Sequence, residues 1–436
     1  MKNGSLRLQR PREHGAATLI VVMVLFFLIS MVAAYTSRNL IFEQKTSANQ
    51  LRSTMASEAA EAGLQWALGL LNSGRISASC LPSANVADTT FRQRYLSIDG
   101  TTGHITPTTK MPSGQALTPS CVFNGASWNC SCPVNGDPAP ALPAASAVLP
   151  AYRVRFTTHP APARRMLVRI EVNGCTVYSE TCLKFDDGAG TDNEGRAYAA
   201  AYLTLKGAVT STPVAAVTAR GNLNLGGAAA AFYNTNAKAS GITVHTGGAT
   251  TLVGLSLHTI AGSPAAGSVV DNDNALTFGG FPLAERPDSM FVSTFGMART
   301  TYRDQPGALQ IDCSATCTTS EIQSAATANP GRILWANGSV LFDAGGDVGS
   351  ATEPVALVAT GNVQFSGAAT QFYGLIYSQA ASWVTAGNGS VLGAVIGEGD
   401  IAGNATTTVA YDLGILDLLR YRTGSFVIVP GTWKDF

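Results

Sequence analysis

An unbroken apolar run near the N-terminus is the clearest pattern in the chain. Residues 15–37 carry no charged side chain. The basic residues that precede the run are Lys2, Arg7, Arg10 and Arg12. About 20 helical residues cross the roughly 30 Å hydrocarbon layer of a bilayer. The run from Ala16 to Tyr35 therefore predicts one transmembrane helix with its basic flank in the cytoplasm.

Helical periodicity continues beyond the apolar run. Apolar residues spaced mostly by three and four are Ile41, Ala48, Leu51, Met55, Ala59, Ala62, Trp66 and Leu70, which places them on one stripe. From Leu64 to Leu71 apolar residues occupy more than one face, so we expect this end to be buried. Asn72-Ser73-Gly74 predicts the helix end. Residues 16–73 thus predict one helix of about 85 Å, whereas a signal peptide has a shorter apolar core.

Alternation of apolar and polar residues appears next, within residues 74–205. The alternating stretches are 152–156 and 166–172. They predict half-buried antiparallel strands of a small sheet, against which the helix end packs. The side chains expected on the core side are Val154, Phe156, Met166, Val168, Ile170 and Val172. Arg153, Arg155 and Arg169 are expected on the opposite, solvated face.

An internal repeat marks the last part of the chain, residues 206–436. ARGNLNLGGAAAAFY at 219–233 aligns without gaps with ATGNVQFSGAATQFY at 359–373, and GDIAGNATTTVAY at 399–411 is a weaker third copy. Short strands between Gly and Asn corners are typical of a β-solenoid, in which each rung stacks on the next. The repeat predicts a right-handed β-helix-like solenoid, with an antiparallel sandwich as the alternative.

Two segments of this region lack the repeat pattern. Residues 258–332 are predicted to be an insertion laid along the side of the solenoid. A solenoid end exposes strand edges unless something covers it. Because residues 411–424 have helical apolar spacing and Trp433 and Phe436 follow, residues 411–436 are predicted to form a cap.

Composition and charge narrow the classes of function. The 436 residues include 28 basic and 28 acidic side chains, so the whole chain has no electrostatic attraction to nucleic acid, and nucleic acid is not expected as a partner. The histidines are His14, His104, His159, His245 and His258. The sequence contains no HExxH, no GxSxG and no phosphate-binding loop, which are common catalytic signatures. We therefore expect neither enzymatic activity nor a cofactor.

Eight cysteines lie downstream of the apolar run, where an oxidising compartment would pair them. Cys130 and Cys132 are too close in sequence to pair with each other, so we expect them to reach different partners such as Cys80 and Cys121. Two further pairs are expected to close short local loops, Cys175 with Cys182 and Cys313 with Cys317. A zinc site that includes Cys130 and Cys132 is the alternative.

Acidic residues cluster at two places where calcium is a secondary interpretation. These are Asp186-Asp187-Gly188 with Asp192-Asn193-Glu194, and Asp271-Asn272-Asp273-Asn274. Calcium takes about six to eight oxygen ligands, which such loops can supply. Neither cluster has EF-hand spacing, and Asp, Asn and Gly are the usual residues of turns. Turns are therefore the preferred interpretation.

The start of the apolar run resembles a prepilin cleavage site. It reads His14-Gly15-Ala16-Ala17-Thr18-Leu19-Ile20 behind a short basic leader. SEAAEAGLQ at 57–65 resembles the helix of PilX-type minor pilins of type IV pili. The resemblance implies cleavage by prepilin peptidase between Gly15 and Ala16, with residues 1–15 as the leader. Most major pilins have Phe first and Glu fifth in the mature chain, whereas this chain has Ala16 and Ile20.

The resemblance implies an α+β fold and a role in a filament. The fold would comprise a long N-terminal pilin helix, a small cysteine-containing antiparallel β domain and the solenoid. In pilins the fifth-position carboxylate meets the N-terminal amine of a neighbour, and a buried amine without a counter-ion is unfavourable. With Ile20 at that position, the chain is better suited to the filament tip.

A minor pilin that primes or caps a type IV pilus is therefore what the resemblance implies. Such a subunit is single-pass in the bacterial inner membrane and then lies at the pilus tip or on the cell surface, where it supports adhesion or twitching motility. The implied partners are major and minor pilins, prepilin peptidase and the inner-membrane assembly platform. The alternatives are a K-like pseudopilin of type II secretion and a membrane-anchored β-helical adhesin.

Overall fold

The computed structural model describes residues 16–108, 117–134, 149–158, 165–179, 182–185, 194–226, 230–281, 283–366, 369–384, 388–404 and 407–435. The predicted leader, with Gly15, and the C-terminal Phe436 lie outside the described residues. The chain divides into two compact units, one up to Met55 and the other from Ala56 onward.

The described helices are α1 Ala16–Leu71, α2 Phe91–Tyr95, α3 Ser289–Phe295, α4 Arg299–Arg303, α5 Thr319–Ala328 and α6 Leu413–Tyr421, with a 3₁₀ helix at Ala265–Ser268. The predicted long helix is confirmed as α1, which has 56 residues and ends directly before Asn72. It contains no proline, so its backbone hydrogen bonds need not be interrupted. The side chain of Asp412 caps α6 by accepting from the Ile415 N–H at 3.0 Å.

Antiparallel strands follow α1 in the chain. They are β1 Leu96–Ile98, β2 Ile105–Pro107, β3 Ser120–Phe123, β4 Trp128–Ser131, β5 Ala151–Thr158, β6 Leu167–Cys175 and β7 Arg196–Gly207. One sheet contains β7, β6, β5, β3 and β4 in that order, and β1 pairs with β2 separately. The strands predicted at 152–156 and 166–172 are confirmed as β5 and β6, which are antiparallel neighbours.

The C-terminal part of α1 packs on this sheet, through a face that differs from the predicted stripe. The residues of α1 that are fully buried in this core are Ala56, Ala60, Leu64, Ala67 and Leu71, and Ala59 of the predicted stripe is buried too. Trp66 and Leu70, in the predicted stripe, are only partly buried beside them. Ile41 and Leu51, also in that stripe, are exposed. The small side chains of Ala56, Ala60 and Ala67 let the helix lie close to the sheet, and Leu64 and Leu71 are buried in the same core.

Two glycines permit that close approach. A Cβ on Gly63 of α1 would lie 2.7 Å from a carbon of Tyr152 in β5 and 2.7 Å from one of Val172 in β6. A Cβ on Gly174 of β6 would collide with the backbone of Ala60 in α1. Any larger residue at these positions would push the helix away from the sheet.

The strands between residues 215 and 410 are parallel to one another. They are β8 Ala215–Ala219, β9 Leu223–Gly226, β10 Ala231–Tyr233, β11 Ile242–Thr246, β12 Thr250–Val253, β13 Ser256–His258, β14 Val269–Val270, β15 Ala308–Thr318, β16 Ile333–Phe342, β17 Gly346–Val348, β18 Val355–Ala359, β19 Val363–Phe365, β20 Thr370–Ser378, β21 Ser382–Val384, β22 Gly389–Gly397, β23 Asp400–Asn404 and β24 Thr408–Ala410. Every described pair among them is parallel. The antiparallel sandwich alternative is therefore wrong.

We call each successive turn of the chain through these strands a rung. The rungs stack through the parallel strand pairs, in an order that differs from their order in the chain. One column of neighbouring strand segments, which we call the first sheet, runs 308–312, 333–337, 355–359, 374–378, 393–397, 215–219, 242–246 and 269–270. The rung that begins with β8 thus stacks on the rung that comes last in the chain. The repeat copies at 219–233 and 359–373 lie three rungs apart. Each begins at the last residue of one strand and continues through a short second strand into a third.

Only part of the predicted insertion at 258–332 lies outside the rungs. β14 pairs with β11, and β15 pairs with β16. Residues 271–307, which we call the strap, connect the last rung of one group with the first rung of the other. Because those rungs are at opposite ends of the stack, the strap has to run along it. Phe291 and Phe295 of the strap pack against Tyr377 on the outer face of the first sheet.

The C-terminal segment at 411–436 does not cap the stack, contrary to the prediction. Leu416 and Leu419 of α6 pack on the outer face of the first sheet, beside the strap. The chain then forms β25 Gly424–Ile428 and β26 Lys434–Asp435, which both pair antiparallel with β7, and Trp433 is 46% exposed. The free edge of β7 offers a ladder of hydrogen-bonding groups that these strands satisfy. A different helix, α5, places Ile322 and Ala326 in the inner core at the β15 end.

Candidate membrane and filament segment

The first part of α1 presents apolar side chains on every side. From Leu19 to Tyr35 its large apolar side chains are between 53% and 72% exposed. By length and composition α1 is able to cross a membrane. A helix that is apolar all round requires an apolar environment, which lipid or neighbouring helices can provide.

The hydroxyl groups of Ser30 and Thr36 are satisfied within the helix itself. The Ser30 hydroxyl donates to the Phe26 carbonyl at 2.7 Å. The Thr36 hydroxyl donates to the Val32 carbonyl at 2.9 Å. Because an unpaired hydroxyl is unfavourable in hydrocarbon, these bonds make the segment compatible with a bilayer.

The predicted processing positions lie at the start of this segment. Gly15 is outside the described residues, and Ala16 is the first residue of α1. Ile20, at the predicted fifth mature position, is 61% exposed. No acidic residue occurs in α1 before Glu43. The segment therefore carries no carboxylate of its own that could meet a neighbour's amine.

The end of α1 is tied to later segments at a junction that sequence reasoning missed. Arg92 of α2 is 3% exposed and donates to the carbonyls of Leu71 at 2.8 Å, Gly331 at 2.9 Å and Gly424 at 3.1 Å. Burial, with a smaller contribution from the charge of Arg332, lowers the pKa of Arg92 to about 9. This buried cation connects α1, β25 and the loop before β16. The sequence FRQRY around it gives no signal that would have identified it.

Two arginines of the antiparallel sheet are paired, which corrects the predicted solvated face. Glu171 is 4% exposed and accepts from Arg155 Nε at 2.8 Å and from Arg169 Nη1 at 3.0 Å. Arg155 lies 4.3 Å above the ring of Phe185, and Arg169 donates to the Tyr198 hydroxyl at 2.9 Å. Register explains the cluster, because Arg155 and Glu171 are direct cross-strand neighbours.

A second buried charge cluster joins the strap to the stack, and sequence reasoning missed it too. Glu398, 1% exposed, accepts from the Tyr377 hydroxyl at 2.5 Å and from Arg299 Nη2 of the strap at 2.7 Å. Desolvation raises the pKa of Glu398. On the adjacent rung Arg220 donates to two carbonyls of the strap. The available signal was Arg220 itself, a charge at the corner where the other repeat copy has Thr360.

All eight cysteines are paired in disulfides. The pairs are Cys80–Cys132, Cys121–Cys130, Cys175–Cys182 and Cys313–Cys317. Cys130 and Cys132 reach different partners, and the other two pairs close local loops. The Cys313–Cys317 loop coincides with a register shift between β15 and β16. With every sulfur paired, no thiolate remains for the alternative zinc site.

The acidic stretches give no grouped metal ligands where they are described. Residues 186–193 of the first stretch lie outside the described residues. In the second, Asp273 pairs with His245 at 2.7 Å and accepts from the Ala275 N–H at 2.8 Å, as in a turn. Across the described ranges no three His, Cys, Asp or Glu side chains are arranged to hold a metal ion. His258 stacks on Tyr233 with ring centroids 4.3 Å apart.

Comparison with protein-family models gives no match, and comparison with curated proteins gives none. Among solved structures the chain is similar to the crystal structure of the competence-associated pilin ComZ from Thermus thermophilus. The two chains are 13% identical, and the alignment covers 88% of this chain and 97% of that chain with a TM-score of 0.21. A TM-score this low does not establish a common fold. The interpretation of this chain therefore depends on its own residues and contacts.

Proposed function

We propose that the chain is a pilin-like subunit of a type IV pilus or a related bacterial filament. One observation carries the proposal: α1 begins with a segment that is apolar on every side, yet the same helix ends in a folded domain. A signal sequence has no need to remain helical after the membrane, whereas a filament subunit uses one helix first in lipid and then among other helices. Before assembly the chain would be single-pass in the inner membrane, with its basic leader inside.

Processing by prepilin peptidase is the second part of the proposal. Cleavage after Gly15 would make Ala16 the new N-terminus. The mature chain would then start directly with its apolar helix, and the charged leader would not have to enter the filament core. The proposed partners are major and minor pilins, the peptidase and the inner-membrane assembly platform.

We place the subunit at the filament tip, where it would prime or cap assembly. A subunit in mid-filament needs a group that pairs with the buried amine of its neighbour. Ile20 cannot do so, and no acidic residue precedes Glu43 in α1. At the tip this requirement is absent. The stack of parallel strands would be the displayed head, a right-handed β-helix that supports adhesion or twitching motility.

Intact mass of the mature protein tests the processing step. In Gly15→Leu the larger side chain should block cleavage, so the membrane-extracted protein keeps the mass of residues 1–15. The matched control is Gly4→Leu in the same leader, which should be processed normally. Removal of the leader from Gly15→Leu, or a mature wild-type chain that still carries it, would contradict the proposal.

Location on the filament tests the tip assignment. Antibody labelling in electron micrographs should show wild-type subunits at filament ends only. Ile20→Glu should also allow labelling along the shaft, while Leu25→Glu should abolish incorporation, because its charge has no amine to meet. Wild-type labelling along the whole filament would overturn the assignment.

The alternatives predict different observations. A K-like pseudopilin of type II secretion would co-purify with secretion-system subunits instead of pilins. A membrane-anchored adhesin would retain its leader in the wild type.

A further inference from the structure

A cleft of about 320 Å³ opens beside the C-terminal end of β7. Its walls include Arg165 before β6, Lys206 of β7 and Arg420 of α6, and none of its lining residues is acidic. Three cations from three separate segments of the chain thus surround one small space. Like charges that line the same small space repel one another unless a counter-ion is present.

Within the described residues these three cations have no carboxylate partner within 4 Å, unlike Arg155, Arg169 and Arg299. The acidic group that acts on Arg420 is Asp417, three residues earlier on α6, and the two form no ion pair.

Two of the three cations lie on elements that pack against other parts of the chain. A Cβ on Gly207 would collide with the carbonyl of Arg420, so β7 and α6 are in direct backbone contact at this point. The Arg420 guanidinium lies 5.1 Å from the centre of the Tyr421 ring, and Tyr421 also lines the cleft. Lys206 Nζ would lie 3.8 Å from a Cβ on Gly296, at the C-terminal end of α3. Lys206 and Arg420 therefore lie on packed elements, whereas Arg165 is exposed just before the start of β6.

We propose that this cleft binds a phosphoryl or sulfuryl group carried by a small molecule or a lipid headgroup. A tetrahedral oxyanion accepts hydrogen bonds from several cations at once, and arginine supplies a planar pair of donors for it. The cleft volume suits one such group with a short carbon body. A long nucleic acid is a poorer fit, because it needs a continuous basic track with stacking aromatic side chains, and the chain as a whole has balanced charge. This inference is independent of the filament proposal.

Titration calorimetry on the full chain in dodecyl maltoside micelles tests the site, with pyrophosphate and inorganic phosphate as probes at low salt. We expect saturable binding that weakens about tenfold in Arg165→Gln and in Arg420→Gln, since each removes one charge-assisted contact. Arg420→Lys should retain most of the affinity because it keeps the charge. The matched control is Arg303→Gln, an exposed arginine paired with Asp304, which should bind like the wild type.

The source of the group is distinguished by competition. Mixed micelles that contain phosphatidylglycerol should displace pyrophosphate if the natural ligand is a lipid headgroup, and phosphatidylcholine micelles should not. If neither lipid competes, a soluble ester is the ligand. The proposal is overturned if pyrophosphate shows no saturable binding at millimolar concentration, or if the cleft variants and Arg303→Gln bind equally well. Melting temperatures of all variants identify any that fail to fold, and Arg420→Lys then decides the outcome.

Discussion

Replacing Arg92 with methionine should destabilise the second unit by removing a buried side chain that connects three separate segments. Arg92 donates to three carbonyl oxygens, those of Leu71, Gly331 and Gly424. The Gly331 carbonyl keeps another donor, the Gly424 N–H at 2.9 Å, so the carbonyls of Leu71 and Gly424 are the two that lose a donor. Methionine fills much of the same volume but donates no hydrogen bond.

The expected loss follows from two opposing contributions. Each buried carbonyl left without a donor lowers stability by about 1–3 kcal/mol. Removing the buried charge offsets part of this loss of stability. Burial disfavours the cation, as the lowered Arg92 pKa of about 9 indicates. We therefore expect a net loss of about 3 kcal/mol, which corresponds to a melting temperature lower by roughly 5 °C.

Thermal unfolding of the full chain in neutral detergent, followed by near-ultraviolet circular dichroism, measures this loss. Arg92→Lys should recover part of it, since lysine keeps the charge but cannot reach all three carbonyls. Arg303→Gln is the control for loss of an exposed arginine and should melt with the wild type. An Arg92→Met variant that melts within about 1 °C of the wild type would refute the reasoning, because 1 kcal/mol shifts the midpoint by more than that.

Three further predictions concern single features of the second unit. Burial raises the pKa of Glu398 above its ordinary value of 4.5, so its contribution to stability is lost as the pH rises through the folded pKa. The wild type should therefore lose stability relative to Glu398→Gln as the pH rises above 4.5. Equal pH profiles in denaturant titrations would disprove this. Gly174→Ala should lower the free energy of unfolding by about 2 kcal/mol or more, because the new Cβ meets the α1 backbone. The control Gly69→Ala, in open space on α1, should be neutral or stabilise by up to about 1 kcal/mol. Similar melting temperatures for the two variants would argue against close packing. Removing the Cys80–Cys132 disulfide with two serines should lower the free energy of unfolding by about 4 kcal/mol, given its sequence separation of 52; an unchanged denaturation midpoint would show that the pair is not formed.

Local patterns were sufficient to predict α1, β5, β6 and the short strands of the repeat. α1 follows from an apolar run and a continuing helical periodicity, which depend on residues three and four positions apart. β5 and β6 follow from alternation over a few residues, and the short strands of the repeat from Gly and Asn corners. Each of these signals lies within one segment, so it does not depend on what packs against that segment.

Long-range packing decided the features that sequence reasoning missed or misplaced. The helix face that meets the sheet contains Ala56, Ala60 and Ala67, and the closeness of two backbones determines it more than the hydrophobicity of a stripe. Buried charges such as Arg92 and Glu398 have partners far away in the chain, and no local pattern marks them.

The sequence by itself determined that the chain has an apolar helix, an alternating β region and a repeated β region. Only the tertiary structure decided how the rungs are ordered, that residues 271–307 run along them and that residues 424–435 return to β7. The physical reason is that a rung contacts only its two neighbours, and rungs of similar sequence offer similar surfaces. The repeat therefore specifies that rungs stack, but not which rung lies next to which. The order of the rungs depends on where the chain enters and leaves the stack beside the antiparallel sheet.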